Sequence, residues 1–334
     1  MDFSLSLISR RDSSVLKGLL ILLIILGHNS ILMNNYGEGG SSLFFKYLYH
    51  FHVYSFLMLP FLYNAPLPTF ERTKKDFIRL YKLYTILFVV LGLIQYLLNR
   101  QISISDLTVA YITGNEPFLE KSIGASFPWF LPTMFITIVL RNLAFHNKCV
   151  LYILLCLSLI IYFSARIFHV FDLYSVNWFL GAGVALAYFA VCVSVRYIIS
   201  ICLNNVRLFR IFIVLAILSS SAFFLYYENH SSIFYSFNSW IIMPISIFIS
   251  LVYIVSNLSE DNTIRNILVY LGELSFPLYA IHVFVYNAIL LVVKYFDLSM
   301  NPYSGVITYI MTIIISLMII YLLKLTHIYK RIFN

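Results

Sequence analysis

The sequence predicts an all-α, polytopic membrane protein, a bundle of about ten transmembrane helices with both termini in the cytoplasm. Three observations predict this fold class. Hydrophobic residues make up 61% of the 334 residues and charged residues only 11%, whereas soluble chains carry roughly 25% charged residues. The apolar residues fall into runs of about 20, the length that crosses a bilayer as a helix. Lysine and arginine concentrate in alternate connections between these runs, as they do in membrane proteins.

The apolar runs place the predicted spans along the whole chain. They cover residues 14–33, 43–63, 81–98, 128–145, 149–165, 176–194, 208–227, 237–257, 268–293 and 304–324. The connections are short except for the polar stretch Asn99–Phe127. We therefore expect residues 1–334 to form a single integral-membrane domain.

The first run resembles a secretory signal, because Arg10 and Arg11 precede an apolar stretch. No small-residue cleavage site follows Met33, and the run ends in the polar sequence Gly27-His28-Asn29. We expect this run to be retained as the first span.

The distribution of basic residues predicts the orientation, since cytoplasmic connections carry the excess of lysine and arginine. With the N-terminus inside, seventeen basic residues lie on the inner side and five on the outer side. The five are Lys46, Arg100, Lys121, Arg166 and Lys294. This asymmetry requires an even number of spans and places both termini in the cytoplasm.

The charge distribution and the cysteine spacing indicate which partners and cofactors to expect. The formal net charge is +8, but the basic residues form neither a long run nor a one-faced stripe, so no nucleic acid is expected. The four cysteines show no CxxC or zinc spacing, so neither a metal nor a disulfide is expected. The composition implies that membrane lipids surround the protein. The sequence does not determine whether the protein forms a homo-oligomer.

Ionisable residues inside spans are costly and mark candidate functional sites. The first span carries Lys17 near its inner end and His28 eleven residues later. Eleven residues are close to three helical turns, so both side chains share one face, about 16 Å apart. This pair could hold an anionic donor and carry out chemistry beyond it. A snorkelling lysine and an interfacial histidine explain the pattern equally well.

Two further spans contribute histidines at similar depth. The second span contains His50 and His52 in its outer part, and the ninth contains Ser275, Tyr279 and His282 on one helix face. Singly, each is more often a packed, hydrogen-bonded residue than a catalyst. A histidine can accept the proton of a hydroxyl near neutral pH, and Tyr279 or Ser275 can donate a hydrogen bond to an oxyanion.

The connection after the second span has a basic helical face, which includes Arg79 and Lys82. Its ordinary interpretation is anchoring on the cytoplasmic side. Its functional interpretation is a cradle for phosphates.

Several segments together resemble one family. In the acyltransferase 3 group of membrane O-acyltransferases, the first span carries an arginine and, eleven positions later, a histidine; Lys17 and His28 stand at these positions. Four further segments are similar to family signatures: Phe51-His52-Val53-Tyr54-Ser55-Phe56-Leu57, Phe77-Ile78-Arg79-Leu80-Tyr81-Lys82, Trp129-Phe130-Leu131-Pro132, and the Ser275, Tyr279 and His282 set. The phrases around Phe51-His52 and Trp129 resemble the fucose 4-O-acetylase-like branch.

The resemblance implies transfer of an acyl group, most often acetyl, from acyl-CoA (acetyl-CoA) to a hydroxyl of an O-antigen, capsule or other cell-surface polysaccharide, or of its lipid-linked precursor. It implies a location in the bacterial cytoplasmic (inner) membrane. His28 would be the catalytic base, and His282, Tyr279 and Ser275 would complete the catalytic site. Lys17, Arg79, Lys82 and His52 would bind the donor.

Two positions depart from the family pattern. Lys17 keeps the positive charge of the arginine but lacks its planar fork, so it cannot bind a phosphate with two parallel bonds. The second-span signature usually ends in Ser-Gly, whereas this sequence has Pro60-Phe61.

Two other functions stay open. A transporter or polymerase of lipid-linked glycans also has ten or more spans and a basic cytoplasmic face. A transporter should show more buried charge and an internal repeat, and a polymerase a larger outer connection than Asn99–Phe127. An inactive relative acting as a scaffold is the third interpretation, because of Lys17 and Pro60.

Overall fold

The computed structural model describes residues 5–33, 42–64, 66–98, 103–170, 179–227, 232–297 and 301–333. Within these ranges the chain is almost entirely helical and contains no β-strand. The predicted all-α fold class is confirmed.

The described residues form eighteen α-helices, joined by short 3-10 and π-helical turns. In chain order they are α1 (Arg10–Gly27), α2 (Ser30–Met33), α3 (Leu43–Tyr49), α4 (His52–Met58), α5 (Phe70–Leu97), α6 (Ile104–Thr113), α7 (Glu116–Ile123), α8 (Phe130–His146), α9 (Lys148–Tyr162), α10 (Ala182–Ala187), α11 (Phe189–Cys202), α12 (Val206–Leu225), α13 (Ile233–Phe237), α14 (Met243–Ser256), α15 (Thr263–Glu273), α16 (Ser275–Tyr295), α17 (Pro302–Lys324) and α18 (His327–Phe333).

Eight helical segments of the described chain are long and apolar enough to cross a membrane. They are Phe70–Leu97, Phe127–His146, Lys148–Ile167, Ala182–Cys202, Val206–Leu225, Ile233–Ser256, Ser275–Tyr295 and Pro302–Lys324. Each corresponds to one of the ten predicted spans. The chain is therefore a polytopic membrane protein.

The first two predicted spans have a different character from these eight. The first span corresponds to α1 and α2, and α1 carries four charged residues, Arg10, Arg11, Asp12 and Lys17. The second is not one continuous helix, because it consists of α3, α4 and a 3-10 turn at Leu59–Leu62. The first span, which ends near His28, is thus charged, and the second, which contains His52, is interrupted. Such features are expected in spans that contribute to a functional site.

Apolar side chains cover much of the exposed surface of the long helices. Leu97, Ile217, Leu291 and Ile307 are each more than half exposed. In water such a surface would be unfavourable, whereas lipid tails solvate it. The exposed positions are therefore consistent with helices that face a bilayer.

The chain forms two compact units, and the first comprises Met1–Leu7 and Leu57–Ile201. In it α8 packs against α5, α9 and α10, and α5 also contacts α7. The connection expected at Asn99–Phe127 folds, in its described part, into α6 and α7, which an ion pair between Asp106 and Lys121 joins at 2.9 Å.

The second unit comprises Ile8–Phe56 and Cys202–Asn334. Here α1 contacts α3, α14, α15, α16 and α17, so it lies in the interior of the unit. Two glycines, Gly18 of α1 and Gly272 of α15, let these two helices approach closely, since a Cβ on Gly18 would lie 2.0 Å from the carbonyl oxygen of Leu268. Small residues at such crossings are typical of membrane helices.

Charged residues also join the inner end of α1 to α15 and to the turn that precedes α15. Arg265 is buried and lies 2.8 Å from Asp12, and Arg11 lies 3.2 Å from Glu260. The pairing of Arg265 with Asp12 compensates a charge that would be costly to bury alone. The position of α1 along α15 is therefore fixed by both packing and ion pairs.

Candidate active site

His28 is the C-cap of α1, and its N–H donates to the carbonyl of Ile24 at 3.1 Å. Its side chain is half-buried, whereas Ile24 and Ile25 before it are buried. The residue is thus partly exposed at the end of a helix that is otherwise packed. A base in this position can meet a ligand while most of its surroundings exclude water.

His282 of α16 packs against His28, with ring centroids 5.1 Å apart and ring planes 54° apart. His282 is fully buried, and its Nδ1 lies 3.0 Å from the carbonyl oxygen of Leu278. Because a carbonyl only accepts hydrogen bonds, Nδ1 must carry the proton in the neutral ring. Nε2 is then the basic nitrogen of His282.

His52, at the start of α4, has the same arrangement. It is fully buried, and its Nδ1 donates to the carbonyl of Leu48 at 2.5 Å. Its Nε2 has no hydrogen-bond partner among the described residues. The ring approaches α1 because position 27 is glycine: a Cβ on Gly27 would lie 3.3 Å from Nε2 of His52.

The structure therefore brings together His28, His52 and His282, which we call the histidine cluster. His28 lies within electrostatic reach of both other histidines. The three residues come from the first, second and ninth predicted spans. In His52 and His282 the proton lies on Nδ1, so the Nε2 atom of each ring can accept a hydrogen bond.

Two tyrosines flank the histidine cluster. Tyr279 of α16 is buried, with its ring centroid 6.1 Å from that of His282. Tyr49, at the end of α3, packs edge-on against His52 at 4.8 Å. Their hydroxyl groups are hydrogen-bond donors, as oxyanion stabilisation requires. Tyr279 was predicted from its spacing, and Tyr49 was missed although it stands three residues before His52.

Apolar packing holds the interrupted second span beside α1. Leu48 and Phe51, on either side of the break between α3 and α4, are buried with Phe223 and Met243. The aromatic ring of Trp240 also packs on His50, with centroids 4.1 Å apart. His50 therefore packs against Trp240, while His52 faces α1.

Ser275 and Lys17 lie further from the histidine cluster. Ser275 is the first residue of α16, seven residues before His282, which corresponds to about 10 Å along the helix axis. Lys17 is half-buried on α1. Because α1 is one continuous helix, Lys17 and His28 share a face about 16 Å apart.

Arg79 and Lys82 belong to the other unit, on the first half of α5. Arg79 is exposed, and its guanidinium lies 3.6 Å from the carboxylate of Asp76. Lys82 is half-buried. The helix predicted for this basic segment is present.

Hydrogen bonds fix the chain immediately after His28. Asn29 is buried and donates to the carbonyl of Gly305 at 2.9 Å and to the hydroxyl of Thr308 at 3.1 Å, both in α17. The hydroxyl of Tyr286, one turn beyond His282 on α16, accepts from the N–H of Ile31 at 3.2 Å. These contacts hold the end of α1 against the two helices beside it. The polar residues after Gly27 were visible in the sequence, but their distant partners were not.

We predict that Tyr286→Phe lowers stability by about 1–3 kcal/mol, because it removes the hydroxyl that accepts a hydrogen bond from the buried N–H of Ile31. It also removes the hydrogen bond of 2.8 Å between Tyr286 and Ser30. The thermal unfolding midpoint of the purified protein in detergent measures the effect. Tyr295→Phe is the matched control, since Tyr295 is 84% exposed on the same helix, and equal midpoints for the two variants would contradict the assigned hydrogen bonds.

The described residues contain no group of three His, Cys, Asp or Glu side chains that could hold a metal ion. A family model described as an acyltransferase domain matches residues 11–321. The chain belongs to the acyltransferase 3 family.

The matched range includes every residue of the candidate site, from Lys17 to His282. The resemblance based on short motifs is thereby confirmed over nearly the whole acyltransferase chain. No curated protein and no solved structure shows a significant match to it. Together with the eight membrane-crossing helices, the family establishes a multi-pass membrane acyltransferase.

Proposed function

We propose that the protein is an O-acetyltransferase of the bacterial cytoplasmic membrane. It transfers the acetyl group of acetyl-CoA to a hydroxyl of a cell-surface polysaccharide or of its lipid-linked precursor. The observation that carries this proposal is the histidine cluster at the end of α1, with Lys17 on the same face of that helix. A basic cluster at one end and a cation at the other suit a long anionic thioester whose reactive end lies far from its phosphates.

In the proposed reaction His28 accepts the proton of the acceptor hydroxyl. The hydroxyl oxygen attacks the thioester carbonyl, and the carbon–oxygen bond forms as the carbonyl becomes an oxyanion. When this intermediate collapses, the carbon–sulfur bond breaks and the thiolate of CoA leaves. The protonated His28 then returns its proton to the thiolate, so the enzyme ends in its starting state.

The neighbouring residues support this step. His282 packs on His28 and limits the orientations of its ring. The hydroxyl of Tyr279 is the proposed donor to the oxyanion. The Nε2 atom of His52, buried and without a described partner, accepts a hydrogen bond from the substrate, either from the acceptor hydroxyl or from an amide N–H of the pantetheine arm.

The donor would extend along α1. Lys17 lies about 16 Å from His28, on the side predicted to be cytoplasmic, and attracts the negative charge of the donor. Arg79 and Lys82 are also on the predicted cytoplasmic side, and their positive charges would attract an anionic donor to the membrane surface. The family has an arginine at this position, whose planar guanidinium can bind a phosphate through two parallel hydrogen bonds, whereas the ammonium group of Lys17 is a point charge. Lys17 therefore suits general attraction of the anionic donor better than two-bond binding of one phosphate.

Deleting the gene in its host and analysing the surface glycans by mass spectrometry tests the proposal. We expect the deletion to remove the mass of one acetyl group per repeating unit, with restoration by the wild-type gene. The polymer length should not change. A shortened or missing polymer would instead establish a transporter or polymerase. An unchanged glycan would contradict the proposed transferase and favour an inactive relative that acts as a scaffold.

A further inference from the structure

Tyr49 lies at the candidate active site, but the proposed reaction gives it no role. It is the last residue of α3 and is half-buried. Its aromatic ring packs edge-on against His52, with ring centroids 4.8 Å apart. Tyr49 and the three members of the histidine cluster belong to the same compact unit. A phenylalanine ring would pack against His52 equally well, so the hydroxyl group requires another explanation.

The hydroxyl end of Tyr49 approaches α1 at Gly27, the residue before His28. A Cβ at Gly27 would lie 3.3 Å from Cε2 of Tyr49 and 3.3 Å from Nε2 of His52. Because Cε2 is bonded to the carbon atom that carries the hydroxyl group, the hydroxyl-bearing end of the ring lies next to α1. The hydroxyl group of Tyr49 and the Nε2 atom of His52 are therefore close to the same point of α1, directly before His28.

Tyr279 approaches the histidine cluster from a different helix, α16. It is buried, and its ring centroid lies 6.1 Å from that of His282. The phenol groups of Tyr49 and Tyr279 interact electrostatically, which places them in the same region of the unit. One tyrosine thus lies beside each of the two buried histidines, Tyr49 beside His52 and Tyr279 beside His282. The two hydroxyl groups can therefore contact one ligand bound at the cluster.

The backbone at the end of α1 and the two buried histidines are poorly suited to stabilise an oxyanion. The N–H groups of His28 and Asn29 donate to carbonyls of the preceding helical turn. His52 and His282 carry their protons on Nδ1, where each is bonded to a carbonyl, so their Nε2 atoms cannot donate. Side-chain hydroxyl groups are therefore the donors that suit an oxyanion beside His28.

We propose that Tyr49 is a further catalytic residue, whose hydroxyl group donates a hydrogen bond to the oxyanion together with Tyr279. The proposal rests on the proposed acetyl transfer and adds a second donor to it. As the acceptor oxygen attacks, one electron pair of the thioester carbonyl moves onto the carbonyl oxygen, and the two O–H groups stabilise this charge. Both tyrosines keep their protons and form no covalent bond. Because a hydroxyl group both donates and accepts, each can accept a hydrogen bond elsewhere while it donates to the oxyanion.

The test measures, by calorimetry, the binding of two ketone analogues of acetyl-CoA to the full-length protein in lipid nanodiscs. Trifluoroacetonyl-CoA is hydrated in water and presents a tetrahedral carbon, as the reaction intermediate does. Acetonyl-CoA keeps a planar carbonyl, as the substrate does. We expect Tyr49→Phe to weaken the binding of trifluoroacetonyl-CoA about 10-fold, which corresponds to the loss of one buried hydrogen bond. Binding of acetonyl-CoA should change little, because the proposed bond forms fully only with the tetrahedral species.

The rate of acetyl transfer to glycan from the deletion strain gives a second measurement. Tyr49→Phe keeps the ring that packs on His52, so it should fold, and it should lower kcat about 10²- to 10³-fold, the range for one oxyanion donor. The KM for acetyl-CoA should change little. Tyr47→Phe is the matched control, because Tyr47 lies on the same helix but its hydroxyl is 2.9 Å from Oγ of Ser220 on α12. We expect it to keep the wild-type kcat and both affinities.

Equal trifluoroacetonyl-CoA affinity and equal kcat of the wild type and Tyr49→Phe would overturn the catalytic role of Tyr49 and leave the proposed transferase intact. An equal loss of affinity for both analogues would also overturn it, since Tyr49 would then shape the donor site rather than stabilise the oxyanion. If the wild type binds neither analogue and transfers no acetyl group, the proposed function itself is wrong.

Discussion

Replacing His28 with alanine is expected to abolish acyl transfer. A positioned general base contributes roughly 10²- to 10⁴-fold to a rate, so the variant should lose about that factor. The other two histidines of the cluster should not replace it. Both have Nδ1 bonded to a backbone carbonyl and are fully buried, whereas His28 is half-buried at the end of α1.

The measurement is the rate of acetyl transfer by purified protein in nanodiscs, from isotopically labelled acetyl-CoA to glycan isolated from the deletion strain. His28→Ala should reduce kcat with little change in the KM for acetyl-CoA, because the residue acts on the transferred proton. His327→Ala is the matched control: His327 is exposed in α18, and its loss should leave the rate unchanged. The amount of folded protein is compared for all three.

If His28→Ala retains the wild-type rate while His52→Ala or His282→Ala loses it, the base is another member of the histidine cluster. The proposed O-acetyltransferase activity would then stand with a different catalytic residue. Loss of all activity in His28→Ala together with loss of folded protein would point to a structural role, which His28→Gln can separate, since it keeps the size and a polar group.

The fold class and much of the candidate site followed from the sequence for simple physical reasons. Apolar runs of bilayer length have few alternatives to a spanning helix, and eight of the predicted spans appear as such helices. Ionisable residues inside these runs are rare, so His28, His52 and His282 stood out. Helical spacing then placed Lys17 and His28 on one face, because α1 is regular over its whole length.

The interruption of the second span could not be predicted, because hydropathy reports on the average surroundings of a segment and not on its backbone. Pro60 marks the 3-10 turn, but the break at His50 and Phe51 depends on packing against distant helices. For the same reason the ninth span was placed too early. The chain forms a separate helix, α15, before α16 begins at Ser275.

Two buried arginines, Arg141 and Arg196, illustrate a further limit of the sequence. A count of basic residues gives the same weight to Arg141 and to Arg210, although one is buried and the other exposed. The structure also clarifies the departure at Pro60-Phe61. The atoms that bind Arg141 and Arg196 there are backbone carbonyls, which any residue supplies, so replacing the family's Ser-Gly preserves these bonds.

The second large effect is expected from Gly272→Ala. A Cβ at this position would lie 1.7 Å from the carbonyl oxygen of Ser14 and 3.0 Å from the backbone N of Gly18. Both contacts are with backbone, which cannot rotate away as a side chain can. Overpacking in a well-packed interior typically costs about 1–3 kcal/mol and sometimes more, and here it must separate α1 from α15.

We expect Gly272→Ala to reduce the amount of folded protein in membranes several-fold and to lower its thermal unfolding midpoint. Gly92→Ala is the matched control. Gly92 lies within the long helix α5, and its added Cβ would meet its nearest neighbour, Cγ2 of Ile123, at 3.9 Å, an ordinary contact. Since alanine favours a helix over glycine by about 1 kcal/mol, this variant should be as stable as the wild type or slightly more.

The comparison also separates stability from activity. Any folded Gly272→Ala protein must have α1 displaced from α15, and α1 carries Lys17 and ends at its C-cap, His28. Its remaining fraction should therefore transfer acetyl groups more slowly per folded molecule than the wild type. If Gly272→Ala instead has the unfolding midpoint and specific activity of Gly92→Ala, the two helices do not approach as closely as the contact between Gly272 and Ser14 requires.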